Sequence, residues 1–241
     1  MADTDDNDDD PNFRVRELNA DLVDEFSNVE DGYGFLIESS QYAPGLAGSA
    51  LPFAGAEDHK TQMADFKYGG SFIALIRDHG HGRVTIDADG QATPWYSLTD
   101  PIDVRNYQRA NEALIRLYEI TGAHTIAPLA PTLLRWRRGD NLEQFIDRAR
   151  RLPPRAGGIQ LFAAHQMGSC RMGADPQTSV ANPYGELHDT PGVWIGDASA
   201  FPTPSGTNPM ISIMALAHRT AEAITGVTET TDTALAGATA K

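Results

Sequence analysis

The chain has 241 residues, 41% of them hydrophobic, enough for an ordinary packed core in one large domain or two small ones. Asp and Glu number 33 against 19 Lys and Arg, a formal net charge of -14 with no Lys/Arg stripe between aromatics, so nucleic acid is excluded as the expected partner. The only lysines are Lys60, Lys67 and Lys241, an acidic, lysine-poor balance suited to hydration in concentrated salt.

The start, "MADTDDNDDDPNF", has neither a basic n-region nor an apolar h-region, so it predicts no secretory signal, and residues 1–12 read as a disordered acidic tail. "YGFLIESS" (33–40) and "SFIALIRD" (71–78) predict strands. After an "HGHG" turn, "RVTID" (83–87) alternates, "ADGQ" supplies an Asp-Gly turn and "ATPWYSL" (92–98) returns. The three runs from residue 71 onward therefore predict an antiparallel meander. His79 and His81 flank Gly80 in that turn without a matching third ligand, so they read as solvated turn residues and no metal site is expected.

Asp100 before Pro101 predicts a helix start, Val104, Tyr107, Leu114, Leu117 and Tyr118 keep helical spacing on one face, and Gly122 closes it. "AHTIAPL" predicts another strand. A second helix follows, with Asp140 as cap, Glu143 three residues on, apolar Leu142, Phe145, Ile146 and Ala149, and a stop at Pro153-Pro154. Arg135, Arg137, Arg138, Arg148, Arg150 and Arg151 read as a solvated face that could also meet a partner subunit. Residues 30–152 thus predict an antiparallel sheet carrying helices, an α+β domain, with a boundary near residue 155.

Beyond that boundary the grammar becomes α/β. Residues 193–195 read as a short strand buried on both faces, with Asp197 just past its end. Asn208 predicts an N-cap, Pro209 the first helical position and Gly226 the C-terminal glycine. Should Thr207 or Ser205 take over the cap, the Asn208 side chain is released for other work. Met210, Ile211, Ile213, Met214, Ala215, Leu216 and Ala217 make the first turns apolar nearly all round, which predicts a buried helix N-terminus offering positive potential to an acceptor or anion. The run "MISIMALA" is too short to span a bilayer, and residues 227–241 read as a second disordered tail. A soluble cytoplasmic protein is the expectation.

The stretch "LFAAHQMGSCRMG" (161–173) raises the question of chemistry. Imidazole titrates near neutrality and suits a proton acceptor, although a histidine beside an apolar run is more often a hydrogen-bonded core residue than a catalyst. Cys170, the single cysteine, allows no internal disulfide and reads as a small buried packing residue. Gly168 and Gly173 have phosphate-loop spacing but lack the following Lys-Ser/Thr. Asp197 stands where an α/β sheet opens its ligand crevice, or equally in an ordinary strand-to-loop turn.

"HQMGSCRMG" followed by "GVWIGDASAFPTPSGTNPMISIMALA" resembles the C-terminal signature of the glucose-methanol-choline (GMC) oxidoreductases, FAD-dependent enzymes that oxidise alcohols. The resemblance reaches upstream through "TGAHTI", "RDHGHGRVTIDADG" and "PGLAGSALPF", covering about residues 30–225, and "HQMG" with "GTNPM" is similar to the long-chain alcohol oxidase and dehydrogenase branch. It implies a substrate-binding cap domain over residues 13–155. It also implies a catalytic segment over 156–226 that supplies the closing strand and helix of an α/β FAD-binding domain. Within that segment the resemblance implies His165 as active-site base and Asn208 as second catalytic position. Asp197 and Ala198 would hold the FAD ribityl and pyrophosphate region, and Asn208, Pro209 and Met210 would open the helix facing the flavin pyrimidine edge.

The G-x-G-x-x-G turn that cradles the FAD diphosphate has no counterpart here: "GYGFLI" and "GHGRVT" lack its last glycine and its strand-turn-helix setting. The expectation is the C-terminal half of a flavoenzyme, active with an N-terminal FAD-binding half on another chain. The alternative is a truncated or partner-binding subunit without turnover.

Overall fold

A computed structural model describes residues 32–40, 43–130, 134–155 and 158–226. The two tails expected at residues 1–12 and 227–241 lie outside the described residues. The chain divides into two compact units at Phe162/Ala163, somewhat beyond the boundary expected near residue 155.

In the first unit the elements follow as β1 (Phe35–Ser40), α1 (Pro44–Ala50), α2 (Ala56–Ala64), a 3-10 turn (Asp65–Tyr68), β2 (Ser71–Ile76), β3 (Arg83–Ile86) and β4 (Ala92–Trp95). After these come α3 (Pro101–Ile120), β5 (Thr125–Ile126), β6 (Trp136–Arg137) and α4 (Leu142–Arg150). The mixture of helices with small antiparallel sheets is α+β.

The pairing corrects the expected meander. β2 pairs with β1, Phe35 opposite Ile76 and Ser40 opposite Ser71, while β3, among the described residues, pairs only with β4, Arg83 opposite Trp95. The physical reason lies in the turn between β2 and β3. The backbone N–H groups of His79 and Gly80 donate to the Asp103 carboxylate at 2.7 and 2.8 Å, so groups that would continue the ladder are taken by the first turn of α3.

Helix α3 begins as its sequence predicts, with Asp100 accepting from Ile102 N at 2.8 Å and Asp103 N at 3.3 Å. One stripe of it holds the unit together. Ala110 meets Phe35 and Ile37 of β1, Tyr107 meets Ala130 and Ile159, and Ile115 joins Ile126, Leu134, Trp136, Phe145, Ile146 and Ala149. Tyr118 ties β2 to this helix, its hydroxyl accepting from Phe72 N at 2.6 Å. The cap of α4 is Asn141 rather than Asp140: Asn141 Oδ1 accepts from Gln144 N at 2.9 Å, whereas Asp140 turns back to accept from Arg137 N. Arginines expected to be solvated are partly engaged, Arg135 with Asp58, Arg138 with Glu119 and Arg150 with Glu112.

The second unit carries a 3-10 turn (Ala198–Ala200) and α5 (Met210–Thr225) on irregular chain. Residues 193–195 are not the expected buried strand. Trp194 forms a single bridge to Glu186, Leu187 N donates to Val193 O at 2.9 Å, and Val193 is 45% exposed. Pairing reaches this segment from one side only among the described residues, so no sheet encloses it. Among the described residues no helix is long and apolar enough to cross a membrane.

Candidate active site

The second unit is organised by a short backbone ladder. Gly168 N donates to Ala198 O at 3.2 Å, Cys170 N to Ser199 O at 2.9 Å and Met172 N to Ala200 O at 2.9 Å, so the "HQMGSCRMG" stretch runs beside the turn that follows Asp197. Gly168 has φ +80°, and a Cβ there would stand 3.3 Å from Phe201 O, so the ladder needs glycine at its first rung.

His165 lies three residues before that rung. It is half-buried, and no described residue gives its ring a hydrogen bond, which sets it apart from a satisfied core histidine. Cys170 is half-buried rather than enclosed. Asp197 is exposed and caps the 3-10 turn, its Oδ1 accepting from Ser199 N at 2.8 Å and from the Ser199 hydroxyl. Its other oxygen has no partner among the described residues. The turn reading of Asp197 is therefore realised without using up the carboxylate. Ala198 contributes its carbonyl to the ladder.

From buried Phe201 the chain runs through Ser205, Gly206 and Thr207 to Asn208 and Pro209. The helix begins one residue later than expected: Pro209 holds the cap position and makes no side-chain cap bond, and the first helical residue is Met210. Asn208 thus precedes the cap and is exposed. Ser205 does not replace it, since its hydroxyl donates to Thr207 O at 2.6 Å. The leading N–H groups of α5 have no intrahelical acceptors, and the helix dipole adds positive potential where they emerge.

The expected burial of this helix end is overturned. Met210, Ile211 and Met214 are 66%, 71% and 61% exposed, and α5 docks by its other half, where Thr220 alone is buried. Thr220 Oγ1 reaches Tyr184 O at 3.0 Å and Ile195 O at 3.2 Å. Arg219 adds a second tie, its Nη2 lying 3.1 Å from Met172 Sδ and its guanidinium over the Tyr184 ring.

One pairing escaped the sequence reading. His188 Nε2 stands 3.0 Å from Ser179 Oγ, a spacing that invites comparison with a nucleophile and its base. Nε2 is also 3.2 Å from Gly173 O, and a carbonyl requires a donor, so that nitrogen carries the proton. Ser179 Oγ donates to Asp175 O at 2.6 Å. The pair is a loop staple with no base free to activate the serine, and nothing in its sequence spacing distinguishes it.

The structure therefore places His165, Asp197, Ala198, Asn208, Pro209 and Met210 in one unit; Ala198 accepts the first rung of the ladder, Asp197 directly precedes it, His165 lies three residues before the opposite end of that rung, and the loop after Phe201 leads to the others. The family model for GMC oxidoreductases matches residues 78–217. A long-chain-alcohol oxidase of Arabidopsis thaliana is 30% identical over 195 residues, covering 79% of this chain and 26% of the relative. An uncharacterised GMC-type oxidoreductase of Mycobacterium tuberculosis is 31% identical over 194 residues, covering 78% of this chain and 29% of the relative. Among solved structures, pyridoxine 4-oxidase from Mesorbium loti superimposes with a TM-score of 0.49 at 18% identity, covering 81% of this chain and 35% of that one. The chain spans roughly a quarter of the length of the curated relatives it matches. It belongs to the GMC oxidoreductase family.

Proposed function

We propose that this chain is the C-terminal portion of a flavoenzyme that oxidises an alcohol to a carbonyl, with His165 as base. These 241 residues carry no dinucleotide fingerprint, so the FAD-binding half would be supplied by residues outside them, on a partner chain in this reading. The observation that carries the reading is the open end of α5. An uncapped helix N-terminus flanked by exposed Met210, Ile211 and Met214 offers N–H donors beside an apolar surface, which fits the polar edge and the flat face of an isoalloxazine ring. Asp197, with one carboxylate oxygen uncommitted, suits the hydroxyls of a ribityl chain, and Ala198 lies directly beside it.

FAD, when bound, supplies the hydride acceptor. His165 takes the hydroxyl proton of the alcohol onto a ring nitrogen, a step for which a ring without a competing hydrogen bond is suited. The Asn208 carboxamide donates from Nδ2 to the alcohol oxygen and orients the reacting carbon. The leading N–H groups of α5 stabilise negative charge without having to reorganise.

The test is reconstitution with a chain bearing the N-terminal half. Wild type should give a yellow complex bleached by alcohol, and His165→Ala should retain FAD while losing about two orders of magnitude in turnover. Unchanged turnover would remove His165 as base, and a colourless chain that never bleaches would favour a partner-binding subunit without turnover.

A further inference from the structure

A second cluster of titratable groups lies in the first unit, where the turn between β2 and β3 meets the start of α3. Asp103 is 1% exposed, and its two oxygens accept from His79 N and Gly80 N at 2.7 and 2.8 Å. Asp100 Oδ2 lies 2.8 Å from His79 Nδ1. A Cβ at Gly80 would stand 2.8 Å from Asp103 Oδ2, so the turn comes as close to the helix as glycine allows. Asp78, half-buried, faces the Tyr96 side chain just past the end of β4. The Tyr33 ring meets the His79 imidazole edge-on at 4.9 Å, and the Arg77 guanidinium lies over Tyr33. The turn is thus faced by Asp100 and Asp103 from the cap and first turn of α3, by Tyr96 just past β4, and by Tyr33 and Arg77 from the β1–β2 side.

Burial and then the Asp103 carboxylate push Asp78 up to about 6. The hydrogen bond to Asp100 pushes His79 above its ordinary value. Both groups hold a proton more tightly when the turn is docked, so their contribution is fully present at low pH and is lost as pH rises. Asp78 loses it between 3.8 and about 6, and His79 above 6.5. Asp100 is held below the usual carboxylate range, chiefly by its hydrogen bond with His79, and acts in the opposite sense only in stronger acid.

We infer that residues 77–82 form a proton-held clasp, which keeps the β2–β3 turn on the first turn of α3 in mild acid and releases it towards neutrality. Asp103 then faces a newly charged Asp78, and Asp100 a neutral imidazole, so the closed arrangement concentrates like charge that opening relieves.

Amide hydrogen exchange of the full chain tests this, read at His79 and Gly80 after correction for the intrinsic pH dependence of exchange. The opening constant should rise about tenfold between roughly pH 5 and 8, while α4 amides stay level. Asp78→Asn should remove the portion below about pH 6, and Asp78→Asn with His79→Gln should leave a flat profile. A flat wild-type profile, or an equal slope in the double variant, would overturn the inference. Because the first of these needs only the wild-type chain, a variant that fails to fold does not rescue it.

Discussion

Thr220 offers the sharpest check on how the second unit holds its helix. It is the one buried residue of α5, and its single hydroxyl proton is shared between Tyr184 O at 3.0 Å and Ile195 O at 3.2 Å. Relaxation is limited, because Gly185 packs so close that a Cβ there would stand 2.8 Å from Thr220 Oγ1. Thr220→Val keeps the shape and deletes the donor. Two carbonyls then lose their bond in a buried site, a cost of about 2 kcal/mol. Thr220→Ser keeps the donor and removes one methyl, a cost of about 1 kcal/mol. Hydrogen exchange of the α5 amides should therefore accelerate roughly thirtyfold in the valine variant and about fivefold in the serine variant. An equal or greater effect of serine would mean that packing rather than the hydroxyl docks the helix, and unchanged exchange in both would refute the docking itself.

Replacing Asn141 by Ala should destabilise the first unit by about 1 kcal/mol in chemical denaturation, with Asn141→Asp close to wild type, because the cap bond needs only a side-chain acceptor. Gly168→Ala should cost about 1–2 kcal/mol, since an L side chain at φ +80° is strained and its Cβ meets Phe201 O; faster exchange at Cys170 and Met172 would register the loosened ladder. Acid should loosen α4 from α3. Burial raises Glu112, but hydrogen bonds from Arg150 and Arg116 outweigh it, and Arg116 likewise lowers Glu143. Their contribution is present above 4.5 and is lost as pH falls through the lowered values, so a thermal-melting profile should drop below about pH 4.5, and less so in Glu112→Gln.

Local signals with a single physical meaning were legible from residues alone. Asp100-Pro101 starts α3 because a carboxylate accepts the first free N–H groups and proline lacks the one that would be unsatisfied. Gly226, at φ +67°, closes α5 as its position implies. At Asp140-Asn141 two adjacent side chains can each serve as cap, and a local bond from Arg137 N draws Asp140 away, whereas at Asn208-Pro209 the helix starts one residue later than the sequence predicts. The meander was illegible for a different reason. Alternation predicts that β2, β3 and β4 are strands, but pairing depends on where the "HGHG" backbone finds acceptors, and a buried Asp103 a helix away competes with the neighbouring strand. In the candidate site, the residues around His165 and Asn208 could be singled out by resemblance. The ladder that sets Gly168 beside Ala198 could not, because it joins backbone groups that carry no side-chain signature.

The largest discrepancy, the exposed start of α5, is also the most informative. Seven apolar residues in its first turns describe a helix enclosed on all sides, yet only the half around Thr220 is enclosed by the described residues. A hydrophobic pattern reports the surroundings a segment has in its working assembly, and those need not come from the residues next to it in the chain. Covering Met210, Ile211 and Met214 would contribute several kcal/mol, since each such side chain gains about 1.5–3 kcal/mol on full burial and these retain most of their exposure. A surface of that size beside uncapped N–H donors favours an occupant that is both apolar and hydrogen-bond accepting. The methionines and the isoleucine need only an apolar cover, whereas the donors also call for a carbonyl or anionic acceptor, and the flavin of the proposed function would meet both requirements at once.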